Sequence, residues 1–174
     1  FSPTAGEDLE LWLPGVAHLT GLNESRWRTD ITFFNAFDVP DTSRLDYYPE
    51  DDEDDHFFLE FLGIEPGESF FFVDVLDFML GDVQSKGYFT LRSLDGNPVP
   101  RIAARTYNLD ATGGTFGQNL LAFGEADLVV EGGIAFIPGV ANSPISTGGF
   151  RTNLGVINTD PNHWLSLRVT VYAE

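Results

Sequence analysis

Leu9, Leu11 and Leu13 alternate with Glu10 and Trp12, which gives one apolar face to a short strand. The same two-residue period returns along most of the chain. It predicts strands over 16–22, 26–35, 44–48, 57–62, 70–75, 87–93 and 101–107. Shorter strands are predicted over 120–123, 128–130 and 133–137, and two more over 151–158 and 164–172. Pro14-Gly15 and Pro66-Gly67 read as strand ends, and Asp95-Gly96-Asn97-Pro98 as the turn of a strand pair. Residues 108–118 read as a Gly- and Thr-rich loop. Leu76 to Leu80 predicts one helical turn closed by Gly81. Some ten strands at a spacing of roughly 8–12 residues predict a sandwich or barrel.

Composition sharpens this pattern. The apolar set holds 16 Phe but one Met, and aromatics suit half-buried pleated strands. Eighteen Gly and ten Pro spread through 174 residues argue against long helices. There is no Cys, so a core of apolar side chains has to hold the fold. Twenty-seven acidic against nine basic residues give a net charge of −18, which excludes general nucleic-acid binding by phosphate repulsion. The same charge opposes docking on an anionic membrane face, and no apolar run is long enough for a spanning helix. A chain that starts at Phe1 suits a mature, processed product or a trimmed piece of one, and together with the fold type it leads to the expectation of an extracellular or cell-surface protein.

The chain also repeats itself. Pro14-Gly15-Val16-Ala17 returns as Pro138-Gly139-Val140-Ala141. Trp27-Arg28-Thr29-Asp30-Ile31 returns as Phe150-Arg151-Thr152-Asn153-Leu154, and Asn35 and Asn158 each lie seven residues beyond their Arg. Two related, unequal halves therefore start near residues 14 and 138 of one sandwich covering 14–174, behind an extension at 1–13. Arg28, Arg105 and Arg151 are candidate structural pins, because a guanidinium forks a carboxylate in fixed geometry.

The strings at 16–30, 65–69, 105–108, 113–118 and 150–158 resemble a largely uncharacterised repeat domain of large secreted proteins from environmental bacteria. That resemblance implies an immunoglobulin-like β-sandwich outside the cell, and it carries over no catalytic residue. The fold expected is thus all-β, an immunoglobulin-like sandwich with an internal pseudo-repeat.

Candidate chemistry is sparse. His18, His56 and His163 lie in separate segments without zinc-ligand spacing. No nucleophile elbow, P-loop or cysteine nucleophile is present, so an enzyme is not expected. The acidic stretch at 50–55 lacks the alternating ligands and turn glycine of a calcium loop, and reads as a solvated loop. The stretch opening Asn108-Leu109-Asp110 better resembles a calcium loop but has Asn119 where a bidentate Glu belongs, so no cofactor is expected, with Ca²⁺ as the alternative.

The second half lacks counterparts to residues 57–107, which leaves a sandwich with an open edge. Leu9, Leu11 and Leu13 are the candidate donor strand that fills this edge in a neighbouring copy. Head-to-tail contacts of that type build open filaments, so the expectation is a pilus-like or matrix subunit whose partners are copies of itself. The alternative is an adhesive module in which Trp12, Trp27, Tyr47, Tyr48 and Trp164 stack on surface glycans.

Overall fold

A computed structural model gives the structure of residues 8–21, 25–50, 56–109, 113–140, 152, 154–160 and 162–172. Eight strands, all antiparallel to their neighbours, form β1 Glu10–Thr20, β2 Arg26–Phe34, β3 Asp41–Pro49, β4 Phe57–Ile64, β5 Ser69–Phe72, β6 Ser85–Ser93, β7 Arg101–Leu109 and β8 Thr115–Leu120. One short helix, α1 Val75–Leu80, lies between β5 and β6. The chain divides into two compact units, residues 1–135 and 136–174. All the named elements fall in the first.

The sheet runs β4-β3-β6-β1-β2-β7-β8, with β5 also paired to β2. It folds over on itself at β1. The first part of β1 pairs with β6 from Glu10↔Arg92 to His18↔Ser85, and its last two residues, Leu19 and Thr20, pair with β2. The strand bends at Pro14-Gly15, where the ladder carries a bulge and Gly15 adopts φ +80°, a left-handed value open to glycine, and it changes partner from β6 to β2 between His18 and Leu19. Pro14-Gly15 therefore bends a strand instead of ending it. Two layers result, β4-β3-β6-β1 and β8-β7-β2-β5, and their facing side chains form the core.

That core follows the alternation in the sequence. Leu11↔Leu91↔Leu45↔Leu59 and Leu13↔Phe89↔Tyr47 are rows of cross-strand partners in the first layer. Thr29, Ile31 and Phe33 point inward from β2, alternating with its less buried positions. The Tyr47 and Phe89 rings meet at 5.4 Å, and Leu13, Val16, Ile31, Phe33, Leu45, Val75, Leu76 and Leu91 complete the same cluster. This is the all-β sandwich that the residue pattern calls for.

The N-terminal assignment needs correction. β1 crosses the expected boundary between 13 and 14, Leu13 is fully buried, and Leu11 packs against the core of its own chain. Leu11 and Leu13 cannot be lent to a neighbour, because β6 already holds their backbone. Leu9 stands at the mouth of this strand, half exposed, and its carbonyl accepts the Ser93 N–H at 2.9 Å.

Other differences have similar causes. β6 and β7 are not a pair, since both edges of β6 are taken by β1 and β3, so Asp95-Gly96-Asn97-Pro98 carries the chain between layers. Residues 115–118, read as loop, start β8 because β7 offers them an open edge. The strands expected at 128–130 and 133–137 are absent. Gly132 at φ +76° and a Gly133 N–H to Val130 carbonyl bond make a turn there. Among the described residues of 151–158 and 164–172, the other two predicted strands, none has a ladder partner.

Candidate functional site

The repeat residues of the first unit have defined work. Ala17 N–H donates to Thr29 Oγ1 at 2.8 Å, that hydroxyl lies 2.8 Å from Thr106 Oγ1, and Thr106 donates to the Gly15 carbonyl at 3.0 Å. Thr29 thus ties the bend of β1 to β2 and β7. Its neighbour Arg28 places Nε 2.8 Å from Asp74 Oδ2. His18 Nδ1 lies 2.9 Å from the same oxygen, and Nε2 lies 3.7 Å from the exposed Asp82. Asp30 Oδ1 accepts the Asp74 N–H at 3.0 Å and the Tyr107 hydroxyl at 3.1 Å.

Asp74 sits at φ 47°, ψ 65°, a left-handed conformation that costs a non-glycine residue roughly 1–2 kcal/mol. Three partners hold it there, and with it the start of α1. A His–carboxylate pair is also what activates a nucleophile. Here, however, the imidazole is buried, and Ser85, opposite it in the ladder, is bonded to Tyr47 at 2.7 Å. The geometry makes this cluster a clamp between β1, β2 and α1.

Burial pushes the Tyr107 hydroxyl up to about 12, and the Asp30 carboxylate beside it acts in the same direction. The folded chain therefore keeps this proton where the unfolded chain, with an ordinary value near 10, loses it. The stability that this difference contributes is complete below about pH 10 and is lost as pH rises through about 12. Absorbance titration should show one fewer tyrosine ionising near pH 12 in Tyr107→Phe than in the native chain.

Arg105 is engaged differently from Arg28. Its Nη2 donates to Thr115 Oγ1 at 3.0 Å, and its guanidinium lies 5.1 Å from the Tyr107 ring centre, so it fastens β8 to β7. Arg151 lies outside the described residues.

A stronger pin escaped the sequence reading. Asp46 points to the outer face of the first layer yet its side chain has no solvent exposure. Arg44 reaches its Oδ1 through Nε at 2.8 Å and Nη2 at 2.5 Å, and Arg92 reaches Oδ2 at 3.0 Å. The register places Glu10, Arg92, Arg44 and Glu60 in one row across all four strands. The spacing Arg44-x-Asp46 puts both residues on one face, but nothing in the sequence discloses Arg92 as the third member. Removing a partner of a buried ion is expensive, so Arg44→Met should cost about 3 kcal/mol in urea unfolding.

The aromatic residues do not form a shared platform. Tyr47 is in the core, while Tyr48 is stacked on Tyr88 at 4.9 Å and on His56 at 5.8 Å. Trp12 shares that outer face, but Trp27 belongs to the other layer and Trp164 to the second unit. Residues 51–55 and 110–112, where calcium was considered, lie outside the described residues. Among the described residues there is no group of three or more metal-ligating side chains, and no helix long and apolar enough to cross a membrane.

Among the described residues, strand-like sequence and sheet edge remain without a ladder partner. β4 and β8 end the pairing order, and Phe57, Phe58 and Phe116 on them are exposed. β4 carries no Pro or Lys to blunt its edge. In the second unit Leu165, Leu167, Val169 and Val171 alternate with Ser166, Arg168, Thr170 and Tyr172, and all four apolar residues are more than half exposed. Residues 136–174 contain two acidic residues, Asp160 and Glu174, and two basic, Arg151 and Arg168. The whole net charge of −18 therefore resides in residues 1–135.

No protein-family model and no curated protein matches the chain. Among solved structures, that of Thermotoga maritima 1070 is similar, with a TM-score of 0.47 and 18% identity over 70% of this chain and 97% of that one.

Proposed function

We propose that the chain is a structural subunit of an extracellular filament, in which β-strands are shared between successive subunits. One observation carries the reading: residues 164–172 have the alternation of a half-buried strand, their apolar face is exposed, and no ladder receives them. A lone strand leaves its N–H and C=O groups unpaired and its apolar side chains in water, and both deficits vanish when it joins a sheet. The charge distribution supports a polarity. First units repel one another, whereas the net-neutral second unit approaches a first unit without that penalty, which favours head-to-tail over head-to-head contact.

The donor in this reading is the C-terminal stretch, since the N-terminal one is committed to its own core. No cofactor is required. Analytical ultracentrifugation with negative-stain microscopy of the intact chain tests the proposal. Concentration-dependent head-to-tail polymers are expected, and a monomer at every concentration would overturn it.

A further inference from the structure

We infer that β4 is the receiving edge, and that residues 164–172 of a second copy lie antiparallel to it with Arg168 opposite Glu60. The inference rests on the filament reading above, and it names the edge and the register of that contact.

Three rows of side chains cross the first layer and end at β4, and residues 164–172 continue each of them. The first row is charged. The ladders align Glu10, Arg92, Arg44 and Glu60. Arg168 opposite Glu60 sets that carboxylate between two guanidiniums, as Asp46 is set between Arg44 and Arg92. The second row is aromatic. The Tyr88 and Tyr48 rings stack at 4.9 Å and 12°, and those of Tyr48 and His56 at 5.8 Å and 17°, near the roughly 4.8 Å between neighbouring strands. The register that sets Arg168 against Glu60 brings Tyr172 opposite His56, as the next ring of the stack.

The third row faces the core. Leu11, Leu91, Leu45 and Leu59 are successive cross-strand partners, and Val169 falls opposite Leu59. Val171 falls opposite Phe57, which is paired with the buried Tyr47 yet is itself exposed. One alignment therefore serves charge, stacking and apolar burial together. A slip by two residues keeps each side chain on its face but parts Arg168 from Glu60 and Tyr172 from His56. A parallel strand with Arg168 at Glu60 carries Tyr172 to Ile64, at the other end of β4.

β8 is the poorer edge for this strand. Leu120 is buried there, but the next position on the same face is Gln118, opposite the buried Thr106. Thr115, Gly117 and Asn119 make up its other face, and none of them is acidic. A strand added at β8 meets neither a carboxylate for Arg168 nor an unbroken apolar row for Leu167 and Val169.

The chain has no Cys, so introduced thiols report alone. Thr170 falls opposite Phe58 in this register, within the reach of a disulfide. Intact chains carrying Thr170→Cys, mixed with chains carrying Phe58→Cys and oxidised under assembly conditions, should give disulfide-linked dimers at about ten times the yield of a mixture with Asn119→Cys chains. Glu60→Arg should weaken assembly about tenfold in sedimentation, and adding Arg168→Glu to it should restore assembly to within about threefold of the native chain. Polymers that cross-link as well through Asn119→Cys, or a charge swap that restores nothing, would overturn the β4 register and leave the filament reading standing. A native chain that is monomeric at every concentration would remove both.

Discussion

Deleting residues 1–13 should unfold the first unit, not merely stop it polymerising. The deletion removes Glu10, Leu11, Trp12 and Leu13 from the β1–β6 ladder, where they face Arg92, Leu91, Thr90 and Phe89. It also removes the fully buried Leu13 side chain, whose truncation alone should cost about 3–4 kcal/mol in line with other buried leucines. With the ladder bonds and the Trp12–Phe123 bridge lost as well, the total reaches the 5–15 kcal/mol that typically holds a domain together. The deleted chain should show no cooperative urea transition, and Leu13→Ala should shift the midpoint with an unchanged slope. A deleted chain that melts like the intact one would show that β1 is dispensable.

The opposite outcome is expected at the other end. Leu167→Lys combined with Val169→Lys puts two charges on the face that must be buried when 164–172 joins a sheet. At about 2 kcal/mol or more per buried charge, assembly should weaken by roughly a thousandfold or more. Urea stability of the first unit should change by less than about 0.5 kcal/mol, because these side chains are exposed and outside its core. Sedimentation and denaturation together read both effects. Loss of first-unit stability, or undiminished assembly, would contradict the assignment of this strand.

The contrast shows what alternation discloses. Period two at Leu9, Leu11 and Leu13 marks a strand of the structure, whereas the same period at Leu165, Leu167, Val169 and Val171 forms no ladder, because alternation is silent on which edge receives it. The first set finds β6 within its own unit, and the second finds nothing there. For the same reason the alternating segments β2, β3 and β6 were legible, while β8, with the polar run Thr115-Phe116-Gly117-Gln118-Asn119, was not: β7, not its own composition, makes it a strand. The repeated Gly15, Thr29 and Asn35 stood out because each performs a local task that few residue types can perform. Asp46 stayed hidden because its partner Arg92 is 46 residues away and register alone brings them together.

Amide exchange of residues 164–172 in the intact chain, read across a concentration series, addresses strand sharing most directly. The account predicts fast exchange when the chain is dilute and monomeric, and strong protection once subunits associate. Protection that is already present in the monomer, or association that leaves these amides unprotected, would contradict it.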